Sequence, residues 1–258
     1  MYHKGICQLS VAPVRTHPAD AAEMSTQLLF GDTFEVIEVS SDEKWLKICI
    51  DFDKYEGWID TKQGIPSSDF IESEAYVLTD YFSSLVLPNG PQNIVLGSVL
   101  HFSNPALIEE INELEKNKSI KKMQEKKAWS YMEDTAFKYL NAPYLWGGKT
   151  PFGIDCSGLT QQVFKIGGYA LKRDAWQQAE QGQVVEDLDL LKAGDLAFFH
   201  NDKGKIVHVG MMLSTGDILH ASGKVRIDRL DEKGIFNDEL KAHSHQLAFV
   251  KRILSNNF

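Results

Sequence analysis

One thiol and two imidazoles are the groups in this chain whose type and spacing could do covalent chemistry. Cys156 lies in the run P-Y-L-W-G-G-K-T-P-F-G-I-D-C-S-G-L-T-Q-Q-V-F, where a turn-rich aromatic segment passes into a helical pattern. Leu159, Val163 and Ile166 recur at helical spacing, which puts Cys156 in the first turn of a helix. Unpaired backbone N–H groups and the helix dipole favour an anion there, so a lowered thiol pKa is expected. Gly147, Gly148, Gly153 and Gly158 let the chain turn tightly around the sulfur. A buried structural cysteine is the plainer reading of a lone thiol, but a glycine-rich loop feeding a helix start favours a nucleophile.

A nucleophile of this kind needs a base, and the base needs an orienting partner. His208 sits in I-V-H-V-G-M-M-L, a central-strand pattern, and His220 in I-L-H-A-S-G, 12 positions later. A three-residue loop, Ser214-Thr215-Gly216 with glycine in the left-handed position, would set residue 213 opposite 217. His220 then faces Gly210 and lies diagonal to His208 on the same sheet face, roughly 7–8 Å away. A two-residue loop would send the two to opposite faces. A lone strand histidine is more often a satisfied core residue, but two on one face beside a helix-start cysteine reverse that preference. Zinc on the same Cys, His and His is the rival use. No short-range ligand pair or C-x-x-C is present, so neither a metal nor another cofactor is expected. His3, His17, His101, His200, His243 and His245 read as surface residues.

The elements that must position these groups come in two kinds. Residues 1–62 read as short strands between turns, with Leu46, Ile48 and Ile50 alternating on one face, as a small barrel requires. The L-L-F-G-D turn, W-L-K-I strand and G-W-I strand resemble a bacterial SH3-like domain. Residues 63–103 carry a weak echo, V-L-G-S-V-L-H-F, and are expected to form a degenerate second unit. Asn104-Pro105 starts a helix with Leu107, Ile108, Ile111 and Leu114 on one face, and 104–124 is expected as a helical linker with a solvated charged run. From 125 to 258 comes the domain that holds the thiol. Trp129, Met132, Ala136, Tyr139 and Leu140 mark a helix that must stop before Pro143. Strands follow at Leu196–Phe199, Ile206–Leu213, Ile218–Ala221 and Leu247–Ile253. Helices first and an antiparallel sheet after them make an α+β domain.

Composition narrows the partners. A net charge of −9 over 258 residues argues against nucleic acid or an anionic membrane. No apolar run has the length of a signal-peptide core or a membrane span. Three cysteines cannot all pair; Cys7 and Cys49 read as small buried hydrophobes, and a cytoplasmic, monomeric protein is expected.

Five motifs in order, Y-L-W-G-G, D-C-S-G-L, A-G-D-L-A-F-F, I-V-H-V-G-M and I-L-H-A-S-G, resemble the NlpC/p60 family of papain-like cell-wall peptidases. The N-terminal V-A-P-V-R and Q-L-L-F-G-D further resemble its dipeptidyl-peptidase VI group, whose members cleave between γ-D-glutamate and an L-diamino acid in murein peptides. The resemblance implies Cys156 as nucleophile, His208 as base and His220 as the residue orienting it. Tyr144 would join the Cys156 amide at the oxyanion.

A murein peptide beginning with L-Ala carries a free ammonium, for which a carboxylate beside an aromatic is a natural receptor. In the resembling group an Asp 18 residues after the Cys plays that part, which is Asp174 here. Asp155 and Ser157 match positions lining the same pocket, and Trp146 of the Y-L-W-G-G run is counted among the substrate contacts. The SH3-like domain contributes a Glu and a Tyr in that group. Glu23 and Tyr55 are the matching candidates, with Asp20 and Glu56 close by as alternatives. Two rivals remain at this point: an amidase or acyltransferase using the same thiolate, and a non-catalytic murein-binding module.

Overall fold

The computed structural model describes residues 4–66, 74–214 and 216–254; His3 and Thr215 lie outside them. Two compact units emerge, Met1–Glu125 with Trp146–Pro151, and Lys126–Leu145 with Phe152–Phe258. Among the described residues no helix is long and apolar enough to cross a membrane.

The first unit begins with seven strands: β1 (Lys4–Ile6), β2 (Val11–Arg15), β3 (Met24–Leu29), β4 (Thr33–Val39), β5 (Trp45–Ile50), β6 (Glu56–Asp60) and β7 (Ile65–Pro66). They form one antiparallel sheet in the order β3-β2-β6-β5-β4-β1-β7 around Val14, Leu28, Phe34, Leu46, Ile48 and Ile59. Period-two alternation is visible on β5, where Leu46, Ile48 and Ile50 are buried and Lys47 and Cys49 are not. Cys49 is therefore only half-buried, against expectation, because it falls on the outer face; Cys7 is fully buried.

The remaining strands of this unit are β8 (Ala75–Leu78), β9 (Phe82–Leu87), β10 (Gly90–Val95), β11 (Val99–His101), β12 (Ile120–Lys122) and the short β13 (Lys149–Thr150). The echo noted in the sequence has a physical basis in two turns built alike. In Leu29–Asp32 the Asp32 N–H donates to Leu29 O at 3.0 Å, and the Asp32 carboxylate accepts from Leu29 N–H at 2.9 Å. In Val95–Ser98 the Ser98 N–H donates to Val95 O at 2.9 Å, and Ser98 Oγ accepts from Val95 N–H at 3.1 Å. Each turn needs a positive φ at its third residue, Gly31 (+82°) and Gly97 (+90°). A Cβ at Gly31 would lie 1.8 Å from Val99 O, so glycine is also required sterically.

The 104–124 stretch differs from a helical linker. Asn104 caps a turn at Pro105–Leu107, α1 (Ile108–Lys116) buries Ile111, and the chain then forms β12 against β8. Ile120 and Lys121 are buried by that pairing, a tertiary gain invisible in the local sequence I-K-K. His101 is buried too, its Nε2 donating to Gly31 O at 2.8 Å, which corrects its reading as a surface residue.

The second unit holds α2 (Trp129–Phe137), β14 (Gly153–Ile154), α3 (Cys156–Ile166), α4 (Ala175–Gln178) and β15 (Gln183–Val185). Then come β16 (Leu196–His200), β17 (Ile206–Met212), β18 (Asp217–Ser222), β19 (Lys224–Asp231), β20 (Gly234–Asn237) and β21 (Ala242–Arg252). Its sheet runs β15-β21-β16-β17-β18-β19-β20, and β20 also pairs with β21, so six strands close into a ring. β19 and β20 fall outside the four strands read from the sequence, and β21 begins five residues early. Ala197, Phe199, Met212, Ile218, Ile235 and Val250 fill the interior. α3 packs on β17 and β18, and α2 packs on α3. α2 ends at Phe137, six residues before Pro143; Leu140, past that end, is exposed rather than on the buried face.

Candidate active site

Cys156 is the first residue of α3, and every residue of that helix is buried. Asp155 caps the helix, its carboxylate accepting from Gly158 N–H at 2.7 Å. The same carboxylate takes a bidentate pair from Arg173, at 3.0 and 2.6 Å, and Arg173 Nη1 also donates to Ser157 Oγ at 3.0 Å. The two residues flanking the thiol are thus held by one guanidinium. Arg173 carries no motif signal of its own in the sequence, unlike its neighbour Asp174. Gln178 of α4 completes the clamp, accepting from Thr160 Oγ1 at 2.7 Å and donating to Ser157 O at 3.0 Å.

Burial pushes the Cys156 thiol up to about 12, and the Asp155 carboxylate adds to the rise. Backbone hydrogen bonds from Val209 and Ser157 and the Arg173 charge oppose it without prevailing. The lowered pKa expected from the helix start alone is therefore overturned, because desolvation of the anion outweighs the helix-end donors. In the resting site the sulfur is a thiol.

His208 and His220 meet as the three-residue loop predicts. Gly210 pairs with His220, and Leu213 N–H donates to Asp217 O at 2.9 Å. His208 Nε2 and His220 Nδ1 lie 3.0 Å apart, with the rings nearly perpendicular at 88°. Gly210 makes room for this, since a Cβ there would come within 2.9 Å of His220 Cβ. Burial, His245 and His220 hold the His208 pKa well below 6.5, so the imidazole is neutral and able to accept a proton.

Beyond His220 stands Asp228, whose Oδ2 lies 3.0 Å from His220 Nε2. Arg226 Nε is 2.7 Å from that oxygen, and Arg226 Nη2 donates to Oδ1 at 2.9 Å. Both residues come from β19. Apolar alternation in K-V-R-I-D-R-L-D misleads there, because Ile227 is exposed and Asp228 faces inward.

His245 also corrects its surface reading. It lies on β21 opposite Ile235, is half-buried, and stacks on His208 with centroids 4.1 Å apart and planes 23° apart. Burial, and secondarily His220, lowers its pKa to about 4, with Asp228 opposing. One nitrogen from each of the three histidines falls within 4.8 Å of the others. A zinc ion sits about 2.0–2.1 Å from each ligand nitrogen, along its lone pair. Two rings stacked almost parallel do not aim their lone pairs at one such point, so sharing an ion would require one ring to turn.

Tyr144 is half-buried, its backbone N–H donating to Gly223 O at 3.0 Å. Burial and the proximity of Cys156 and Asp155 raise its phenol pKa, so it keeps its proton and can donate. Asp174 starts α4 through a capping box with Gln177, and its Oδ2 accepts from the exposed Trp176 Nε1 at 3.2 Å. In the first unit, Trp146 Nε1 donates to the exposed Glu23 at 2.6 Å. Tyr55 packs on the core of the seven-stranded sheet, while Glu56 is exposed and paired with Lys47 at 3.0 Å.

The NlpC/P60 family model matches residues 141–243, and that of the bacterial dipeptidyl-peptidase SH3 domain matches 14–63. A γ-D-glutamyl-L-lysine dipeptidyl-peptidase of Bacillus subtilis is 30% identical over 217 residues, covering 77% of this chain and 72% of its own. One of Bacillus cereus with the same name is 26% identical over 233 residues, covering 78% and 68%. A crystal structure of an NlpC/P60 family protein from Bacillus cereus aligns over 98% of this chain and all of its own, with a TM-score of 0.80 at 21% identity.

Proposed function

The chain belongs to the NlpC/P60 family, and from that premise we propose that it is a cysteine peptidase cleaving the γ-D-glutamyl–L-diamino acid bond of murein peptides with a free N-terminal L-Ala. One observation carries the reading. Cys156 opens α3, which packs on β17 and β18, the strands that carry His208 and His220, and those two histidines are hydrogen-bonded at 3.0 Å. Nucleophile, base and orienting partner thereby share one buried corner of α3, β17 and β18.

In this mechanism His208 takes the thiol proton as sulfur attacks the γ-glutamyl carbonyl, since the resting pair is neutral on both sides. The Cys156 amide and the Tyr144 hydroxyl stabilise the oxyanion. The C–N bond breaks, His208 gives its proton to the leaving amine, and a thioester remains. Water then attacks it, His208 taking the water proton and returning one to sulfur.

Asp174, partly exposed beside the exposed Trp176, is the proposed receptor for the substrate ammonium. Asp155 and Ser157 act through Arg173, which occupies their polar atoms. Glu23, Trp146 and Tyr55 are proposed as substrate contacts on the family resemblance alone. Unpaired Cys7, Cys49 and Cys156 suit a reducing cytoplasm, where the substrates would be recycled free peptides and the enzyme a monomer.

Mass spectrometry of an L-Ala-γ-D-Glu-L-Lys digest tests the reading. Release of L-Ala-γ-D-Glu is expected, lost in Cys156→Ala with the fold intact and sharply reduced when the peptide is N-acetylated. Full activity in Cys156→Ala, or equal cleavage of the acetylated peptide, would overturn it.

A further inference from the structure

We propose that Asp228, braced by Arg226, is a positioning residue that sets which nitrogen of each site histidine carries the proton. It rests on reading His208 as the base, and it extends the site by two residues on a strand away from the nucleophile.

Asp228 is buried, and His220 and Arg226 hold its carboxyl on the ionised side, so it can only accept. His220 Nε2, at 3.0 Å, must therefore carry a hydrogen and donate it. In a neutral His220 ring that leaves Nδ1 bare, able only to accept. His208 Nε2 lies 3.0 Å from it and must in turn be the protonated nitrogen of a neutral ring. The remaining nitrogen, His208 Nδ1, then has a free lone pair, which the base that takes the thiol proton needs. Two hydrogen bonds in series thus transmit the charge of one carboxylate to the reactive edge of an imidazole two residues away. Stacking on His245 at 4.1 Å holds the His208 plane while this occurs.

Arg226 makes the dependence sharper than in a simple chain. Its guanidinium stands against Asp228, with Nε 2.7 Å from Oδ2. Remove the carboxylate, and the guanidinium that shared Oδ2 with His220 Nε2, still paired with Glu239 at 3.3 Å, offers that nitrogen only N–H donors. That favours a bare Nε2, moves the His220 proton to Nδ1, and turns that nitrogen into a donor toward His208 Nε2. The His208 proton must then sit on Nδ1, which blocks the base. A variant that keeps an acceptor oxygen against both His220 and Arg226 avoids the inversion.

Three variants separate this from a structural role. Asp228→Ala is expected to lower kcat roughly 10²- to 10⁴-fold on L-Ala-γ-D-Glu-L-Lys with little change in KM. Asp228→Asn, which keeps an oxygen toward His220, should retain most of kcat. Asp228→Ala/Arg226→Met removes the intruding cation and should regain part of what the single variant lost. The decisive readout is histidine ¹⁵N NMR, which reports the protonated nitrogen whatever the substrate proves to be. Nε2–H is expected on both His208 and His220 in the unmodified protein, and Nδ1–H on both in Asp228→Ala. Nδ1–H on His208 in the unmodified protein would overturn the proposal even if Asp228→Ala fails to fold. So would an Asp228→Ala protein with unchanged tautomers, or equal kcat losses in the Ala and Asn variants. Failure of the substrate reading alone would leave the NMR result standing.

Discussion

Arg173→Met should cost this protein about 3–5 kcal/mol of stability, the range for breaking a buried ion pair by removing one partner. The size follows from burial: the Arg173 and Asp155 side chains are 1% and 6% exposed, and two short hydrogen bonds join them. Without the guanidinium, the Asp155 carboxylate loses two charge-assisted hydrogen bonds and its opposite charge while it stays buried at the helix start, next to the Gly158 N–H. Asp155→Asn preserves the helix cap but takes away the negative charge that the buried Arg173 faces, so it should be costly as well. The double variant, with neither charge, should cost less than the sum of the two singles. Urea unfolding of all four proteins measures the cycle, and an accompanying Tm drop on the order of 10 °C is expected for the Arg173 variant. Additivity within about 0.5 kcal/mol, or a single-variant cost below about 1 kcal/mol, would refute the reasoning. Either result would mean that the pair is hydrated and that the residues flanking Cys156 are held by something else.

Three further outcomes follow from the geometry. His208 and His245 have folded pKa values below their unfolded values, so the stability they contribute is present above about pH 6.5 and is lost as pH falls. Urea midpoints should decline from pH 6.5 toward pH 4, where His245 titrates, and decline less in His245→Phe, which keeps the stack; equal slopes would contradict this. Gly210→Ala would place a Cβ 2.7 Å from Ile218 Cδ1 and 2.9 Å from His220 Cβ. It should cost about 1–3 kcal/mol and lower kcat by moving His220, so unchanged kinetics would count against the His208–His220 bond. Gly31→Ala forces a side chain into a positive φ and onto Val99 O, so hydrogen exchange at Val99 N–H, which donates to Phe30 O at 2.7 Å, should accelerate; unchanged protection would argue against that close approach.

Much of the thiol's surroundings was legible as local pattern. Helical spacing after Cys156 and alternation on β5 are periodicities set by backbone geometry, so sequence alone carries them, whereas the loop after β17 left two registers open until Gly210 paired with His220. The turn at Val95–Ser98 could be seen as an echo because turn chemistry is local too. β12 could not, since I-K-K becomes a strand only through β8.

The thiol's charge, the far end of the histidine chain and the guanidinium at its flank were decided by tertiary structure. Helix-end donors are a local property and predicted a lowered Cys156 pKa, but desolvation depends on everything packed around the sulfur and raised it. His245 reaches the site only because β21 pairs with both β16 and β20 and closes the ring of strands, a long-range pairing with no short-range signature, whereas Asp228 arrives through the β18–β19 hairpin. Sequence determined which residues could react and the few registers in which they could meet. Folding decided what those residues were buried against, and hence where their protons reside.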